Sequence, residues 1–130
     1  GNCASPKPNI IPLISRDKMR IHYKNAEKHL RAFDGKGSMV TTVAKGALGD
    51  ALMEQGKTDE AIQSYLDAAS DQDNTLLTPL YLERAGLAYE MKNKNDEAIK
   101  IYRRIRDEFP MSMQARNMDK LLARLGDYNP

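Results

Sequence analysis

The sequence is poor in the residues that build metal, disulfide and lipid-anchor sites. It has one cysteine, no tryptophan and two histidines among 130 residues. A single Cys3 cannot form an internal disulfide, and it follows Asn2 rather than the small-residue pattern of a lipoprotein processing site. His22 and His29 lie seven residues apart with no cysteine nearby, a spacing that does not suit zinc. We therefore expect neither a metal nor a cofactor.

Long apolar runs and an excess of one charge are also missing. No stretch approaches the roughly 20 apolar residues of a membrane-spanning helix. The 20 basic and 18 acidic side chains leave a net charge of only +2. The basic stretches have no interleaved aromatic residues, so we expect no nucleic-acid partner. Contact with a membrane would require an anchor upstream of these residues.

Signals of catalysis are lacking as well. No spacing of Ser, His and Asp predicts a nucleophile with its base, or a paired acid and base. Residues 51–58 end in Gly-Lys-Thr like a phosphate-binding loop, but that motif needs a glycine where Ala51 stands and a preceding strand. We predict that the protein is not an enzyme and has no small-molecule substrate.

What the chain does contain is an internal repeat. Residues 57–65 are KTDEAIQSY and residues 94–102 are KNDEAIKIY, identical at six of nine positions with an offset of 37. Apolar residues in each copy recur at spacings of three, four and seven, which predicts helices. Turn-forming residues near Gly56 and at 93–95 divide each copy into two helices. The full repeats are predicted over 41–73 and 78–110.

Two glycines occupy equivalent places in the middle of the first helix of each copy, Gly49 and Gly86. A glycine there costs about 1 kcal/mol relative to alanine. We therefore expect another helix to approach closely at these points, with Tyr65 and Tyr102 filling the space beside them.

The flanking segments complete a single domain over 15–130. Residues 15–33 are predicted to form one helix with an inner face of Ala26, Leu30 and Phe33. Residues 1–14 contain three prolines and are predicted to be an extended or loose arm. Residues 112–125 are predicted to form a capping helix, which a repeat array needs to cover its last apolar face. The seven methionines, mostly at helical spacings, are typical of core packing.

This pattern resembles the tetratricopeptide repeat, whose signature is W-x2-L-G-x2-Y, then A-x3-F, then P. The second copy matches with Leu82-x2-Ala85-Gly86-x2-Tyr89, Ala98-x3-Tyr102 and Pro110. The first copy matches with Leu48-Gly49 and Ala61-x3-Tyr65 but lacks the proline. The resemblance implies an all-α, right-handed α-solenoid: about two helix-turn-helix repeats, an N-terminal helix and a C-terminal capping helix.

Three short segments resemble one bacterial subgroup of that family, the membrane-anchored ancillary subunits of the Sec translocon. They are Leu-Gly-Asp at 48–50, the link over 73–79 and Asp-Glu-Phe-Pro at 107–110. The resemblance implies that these residues are the soluble part of a membrane-anchored cell-envelope protein. They would lie on the periplasmic face of the inner membrane. The alternative compartment is the cytoplasm.

The family resemblance implies a non-catalytic scaffold that binds a peptide or partner helix on its concave face. Aligned on the two glycines, the lining positions are Val43, Gly46, Ala47, Asp50, Met53 and Glu54, then Leu80, Glu83, Arg84, Leu87, Glu90 and Met91. Arg84 is the one cation among four carboxylates, which predicts a basic and apolar protein or peptide partner. The alternative function is a structural module that self-associates into a homo-oligomer through the helix at 15–33.

Overall fold

The computed structural model describes residues 16–33, 38–70 and 74–129. This part of the chain forms six α-helices and one short 3₁₀ segment, and it contains no strand. The helices are α1 (Arg16–Ala32), α2 (Ser38–Glu54), α3 (Thr58–Ala68), α4 (Leu77–Met91), α5 (Asn95–Glu108) and α6 (Met118–Arg124). The predicted all-α fold is confirmed. The predicted arm over 1–14, with Cys3, lies outside the described residues.

Each helix packs mainly on the next one along the chain, as expected for a helical solenoid. Helices α2 and α3 form one hairpin, and α4 and α5 form the next. Helix α3 packs against α4 and joins the two hairpins, while α1 adds to α2 and α6 to α5. The hairpins are therefore 38–68 and 77–108, close to the predicted repeats.

Both turns inside the hairpins use the same backbone geometry. Gly56 has φ +77° and Asn93 has φ +58°, the left-handed region that glycine and asparagine tolerate best. After Gly56, the N–H of Lys57 donates to the carbonyl oxygen of Leu52 at 2.9 Å, and the second turn repeats this bond. These bonds satisfy carbonyl groups at the helix ends, so each first helix stops abruptly and the chain reverses.

The predicted close approach at the two mid-helix glycines is confirmed. A Cβ atom at Gly49 would lie 2.5 Å from Cε1 of Tyr65, and one at Gly86 would lie 2.5 Å from Cε1 of Tyr102. Both tyrosine rings are buried. The second helix of each hairpin thus presses its tyrosine ring against the bare backbone of the first.

The core is built mainly from alanine, leucine, isoleucine and tyrosine, with one methionine. The buried cluster includes Leu52, Ala61, Tyr65, Ala68, Tyr81, Leu82, Ala85, Ala98, Tyr102, Ile105, Met118 and Leu122. Of the seven methionines, Met118 alone is fully buried, so the expectation that they fill the core is wrong. The exposed ones are Met19, Met39, Met91, Met111 and Met113. Helical spacing shows which residues share one face of a helix, but it does not show whether that face is buried in the core.

Two flanking expectations need correction. The predicted capping helix over 112–125 is divided into a 3₁₀ segment, Gln114–Asn117, and the short helix α6. Met118 and Leu122 of this unit are buried, so it still covers the end of α5. Phe33, predicted on the inner face of the first helix, is 47% exposed because it lies just beyond the last residue of α1.

Candidate partner-binding groove

A groove of about 610 Å³ lies between α1 and α4, with α2 as its floor. Within the described residues, α1 packs on α2 and not on α4, so the groove is open between its two walls. Its lining comprises His22, Tyr23, Ala26 and Leu30 of α1, Ala47, Asp50, Ala51, Met53 and Glu54 of α2, Tyr65 of α3, and Arg84, Leu87, Ala88 and Met91 of α4.

The structure brings most of the sequence-predicted positions together in this groove. They are Ala47, Asp50, Met53, Glu54, Arg84, Leu87 and Met91. Val43 lies one turn before Ala47 on α2 and is 45% exposed. Leu80 packs against the core, and Gly46 faces the ring of Tyr81. The remaining two positions, Glu83 and Glu90, do not line the groove.

The wall contributed by α1 was not part of the sequence prediction. Ala26 and Leu30 were expected to face inward, but nothing in the sequence indicated that this face would meet α4 across a gap. His22 and Tyr23 line the same wall. The repeat pattern carries no signal for it, because α1 has no matching copy elsewhere in the chain.

Ion pairs centred on Glu27 and Arg31 hold α1 in place. The carboxylate of Glu27 is only 12% exposed and lies 3.1 Å from Nζ of Lys57, and it also accepts hydrogen bonds from Gln55 and Arg31. Burial acts to raise the pKa of Glu27, but these bonds outweigh it and hold the pKa below its usual value. Arg31 also pairs with Glu60 at 3.1 Å. The second half of α1 is thereby fixed against the turn between α2 and α3.

A polar bridge joins three successive helices at the groove floor. The hydroxyl of Tyr65 donates to Oδ1 of Asp50 at 2.5 Å, and Nη1 of Arg84 lies 2.8 Å from Oδ2 of the same carboxylate. Burial, together with the bond to Asp50, raises the pKa of Tyr65 above its ordinary value, so the phenol remains a donor. The guanidinium of Arg84 also lies 5.5 Å from the ring centroid of Tyr81. Arg84 and Asp50 therefore form an ion pair within the domain, and neither is free to pair with a partner's charge.

The second repeat contains an equivalent bridge. The hydroxyl of Tyr102 donates to Glu90, and Nη2 of Arg124 lies 2.7 Å from that carboxylate. Burial and the bond to Glu90 raise the pKa of Tyr102. In each bridge the arginine lies 34 residues after the carboxylate, on the first helix of the next unit. Glu90 thus faces α6 instead of the groove.

The profile of the tetratricopeptide repeat matches residues 47–112, just over half of the chain. The chain belongs to the tetratricopeptide repeat family. The matched range includes the groove floor and the α4 wall, whereas α1 lies outside it. The repeats thus provide two sides of the groove and the preceding helix provides the third.

One curated relative of these repeats is the ancillary SecYEG translocon subunit of Neisseria gonorrhoeae. It is 31% identical over 98 residues, which are 74% of this chain and 45% of the relative. The chain thus spans less than half the length of that relative. No solved structure is significantly similar to the chain. None of the described helices is long and apolar enough to cross a bilayer, and the described residues contain no cluster suited to a metal ion.

With both bridges counted, two of the four predicted carboxylates remain without an ion pair in the described part of the chain. Glu54 is exposed at the groove. Glu83 is half-buried, and burial raises its pKa. Leu87 and Met91, on the α4 wall, are 40% and 67% exposed. Between its walls the groove therefore combines apolar side chains with one uncompensated carboxylate.

Proposed function

We propose that this protein is a non-catalytic interaction module whose groove binds an apolar protein segment carrying Lys or Arg. The observation that carries the proposal is the pair of exposed apolar side chains, Leu87 and Met91, beside the unpaired carboxylate of Glu54. Exposed apolar surface in a concave site is typical of partner binding. The tetratricopeptide repeat fold supports the same class of function.

The electrostatics disfavour an acidic partner. Binding a terminal carboxylate requires a free cation, but Arg84 is paired with Asp50 at 2.8 Å. An acidic tail would instead approach the unpaired Glu54, and like charges brought together at an interface cost free energy. A Lys or Arg side chain on the partner would instead be attracted to the carboxylate of Glu54.

The relative suggests where the module acts. The ancillary subunit from Neisseria is by name a component of the SecYEG translocon. On that likeness, we propose that this domain recruits a protein partner to an assembly in the bacterial inner membrane, from its periplasmic side. Fractionation of the full-length gene product tests this placement, and recovery in the cytosol alone would contradict it.

A peptide titration tests the binding function. A fluorescent apolar peptide with two lysines and a matched peptide with two glutamates are titrated at low and high salt. We expect the basic peptide to bind, more weakly at high salt because ions screen the exposed carboxylate. Glu54→Lys should weaken binding roughly tenfold, equivalent to about 1.4 kcal/mol. Asp67→Lys, the same charge change at an exposed α3 position outside the groove, should have little effect.

Two results would contradict the proposal. Equal binding of the acidic peptide would refute the electrostatic assignment, and unchanged binding by Glu54→Lys would place the site elsewhere. Analytical ultracentrifugation addresses the alternative function of self-association. A mass that rises with protein concentration, without peptide binding, would favour a homo-oligomer.

A further inference from the structure

The apolar surface of the groove does not end at its lining residues. We infer that the partner is an amphipathic α-helix that lies along α2, with its apolar stripe on the first half of α2 and its basic end at Glu54. This inference rests on the proposed function and adds the conformation, the length and the direction of the partner.

The first half of α2 continues the groove floor. Met39, Val40 and Val43 precede Ala47 by eight, seven and four residues, so they lie on the same face of the helix as Ala47. They are 58%, 59% and 45% exposed. Ala47 and Met53 of the groove floor, which lie before and after Asp50, extend this apolar surface, and the five residues are called here the α2 track. It is roughly 21 Å long from Met39 to Met53, at 1.5 Å per helical residue.

The end of the α1 wall extends in the same way. Phe33 lies three residues after Leu30, which lines the groove, and it is 47% exposed. An exposed apolar residue thus follows directly after α1, and exposed apolar residues also lie at the start of α2. Surface of this kind on several neighbouring residues is typical of a protein-binding site.

The hydrogen-bonding groups of the groove favour a helix over an extended peptide. Every backbone N–H and C=O that a partner buries needs a hydrogen-bonding partner. At the groove floor the polar groups of Asp50, Tyr65 and Arg84 are bonded to one another. An extended chain would find few partners there, whereas an α-helix satisfies its backbone internally. A helix of about four turns matches the length of the α2 track.

Charge gives the partner helix a direction. From residue 39 to residue 49, α2 carries no carboxylate, and its one charged residue is Lys45. Asp50 and Glu54 follow in the second half, and Glu54 has no ion pair in the described part of the chain. Lys or Arg side chains of the partner interact favourably with the carboxylate at the Glu54 end, whereas the Met39 end offers them no carboxylate.

Three synthetic peptides of about 15 residues test the inference on the native 130-residue chain. The first is a helix with a leucine stripe, three lysines at its N-terminal end and a nitroxide label at that end. The second has the same composition but carries the lysines at its C-terminal end, with the label unmoved. The third peptide differs from the first by two central prolines, and these prevent it from forming a helix.

The expected results separate conformation from direction. The label on the first peptide should broaden the NMR amide signals near Glu54, and the label on the second should broaden those near Met39. The proline peptide should bind at least roughly tenfold more weakly, because it buries unpaired backbone groups. If both labels broaden signals at the same end of α2, whichever end of the peptide carries the lysines, the inferred direction of the bound helix is wrong. Equal or tighter binding of the proline peptide would overturn the helix while leaving the proposed function intact, and no binding by any peptide would refute both.

A matched pair of double variants tests the extent of the site. Met39→Ser with Val40→Ser removes apolar side chains outside the groove lining, and we expect about a tenfold loss of affinity for the first peptide. Met111→Ser with Met113→Ser alters side chains that are 96% and 73% exposed in another part of the surface, and it should change nothing. Thermal melts confirm that both variants fold. If the two double variants bind alike, the α2 track is not part of the site.

Discussion

Replacing Gly86 by alanine tests how tightly the second hairpin is packed. The new Cβ would lie 2.5 Å from Cε1 of Tyr102 and 3.1 Å from its Cδ1 and Cζ. The ring has no exposed surface, and its hydroxyl is held by Glu90, which is itself paired with Arg124. The ring therefore cannot move aside without disturbing the core or breaking the polar bridge.

Two opposing effects determine the size of the change. Alanine favours a helix over glycine by about 1 kcal/mol. Overpacking a buried contact typically costs 1–3 kcal/mol, and we take about 3 kcal/mol because Tyr102 is fixed on both sides. The net expectation is a destabilisation of about 2 kcal/mol. For a domain of this size, that lowers the melting temperature by roughly 8 °C.

Thermal melts followed by circular dichroism measure this loss in Gly86→Ala, in Tyr102→Leu and in the double variant. Leucine removes the ring, so Gly86→Ala should cost much less in the Tyr102→Leu background. Gln63→Leu, at an exposed position of α3, should change stability by under about 0.5 kcal/mol. The packing argument fails if Gly86→Ala melts at or above the native temperature, or if its penalty is the same with and without the ring.

Three further predictions concern the contacts that join the helices. The lowered pKa of Glu27 means that its ion pairs stabilise the fold fully above its ordinary pKa of 4.5 and less as pH falls through the folded value. Glu27→Gln should thus reduce stability to urea near pH 7, and the size of this loss should shrink as pH falls below 4.5. A loss that does not change with pH would contradict this. In an ultraviolet titration, Tyr65 and Tyr102 should ionise above the ordinary tyrosine pKa of 10.0, and earlier ionisation would show that the bridges are absent. Leu122→Ala, at a side chain with 1% exposure, should cost about 2–4 kcal/mol in urea unfolding, and a cost below about 1 kcal/mol would mean that α6 does not cap the core.

Much of the fold was predictable because its signals are local and occur twice. The repeated Asp-Glu-Ala-Ile segments, with Gly49 and Gly86 upstream, specified two helical hairpins and a close contact in each. The family resemblance, mapped onto both copies through these two glycines, also predicted most of the residues that line the groove on α2 and α4. This works because a repeat places equivalent positions on equivalent faces, so one pattern applies to both copies.

The tertiary structure alone decided which of these side chains are available. Periodicity could not show that Arg84 pairs with Asp50, or that Glu90 turns away to Arg124, because each pair spans 34 residues and depends on how neighbouring hairpins stack. It also could not place α1 as a groove wall, since the Glu27 side chain that fixes α1 pairs with a lysine 30 residues away. The sequence by itself determined the helices and the faces that they bury. Long-range contacts determined which charges remain unpaired, because pairing depends on distances between side chains on separate helices.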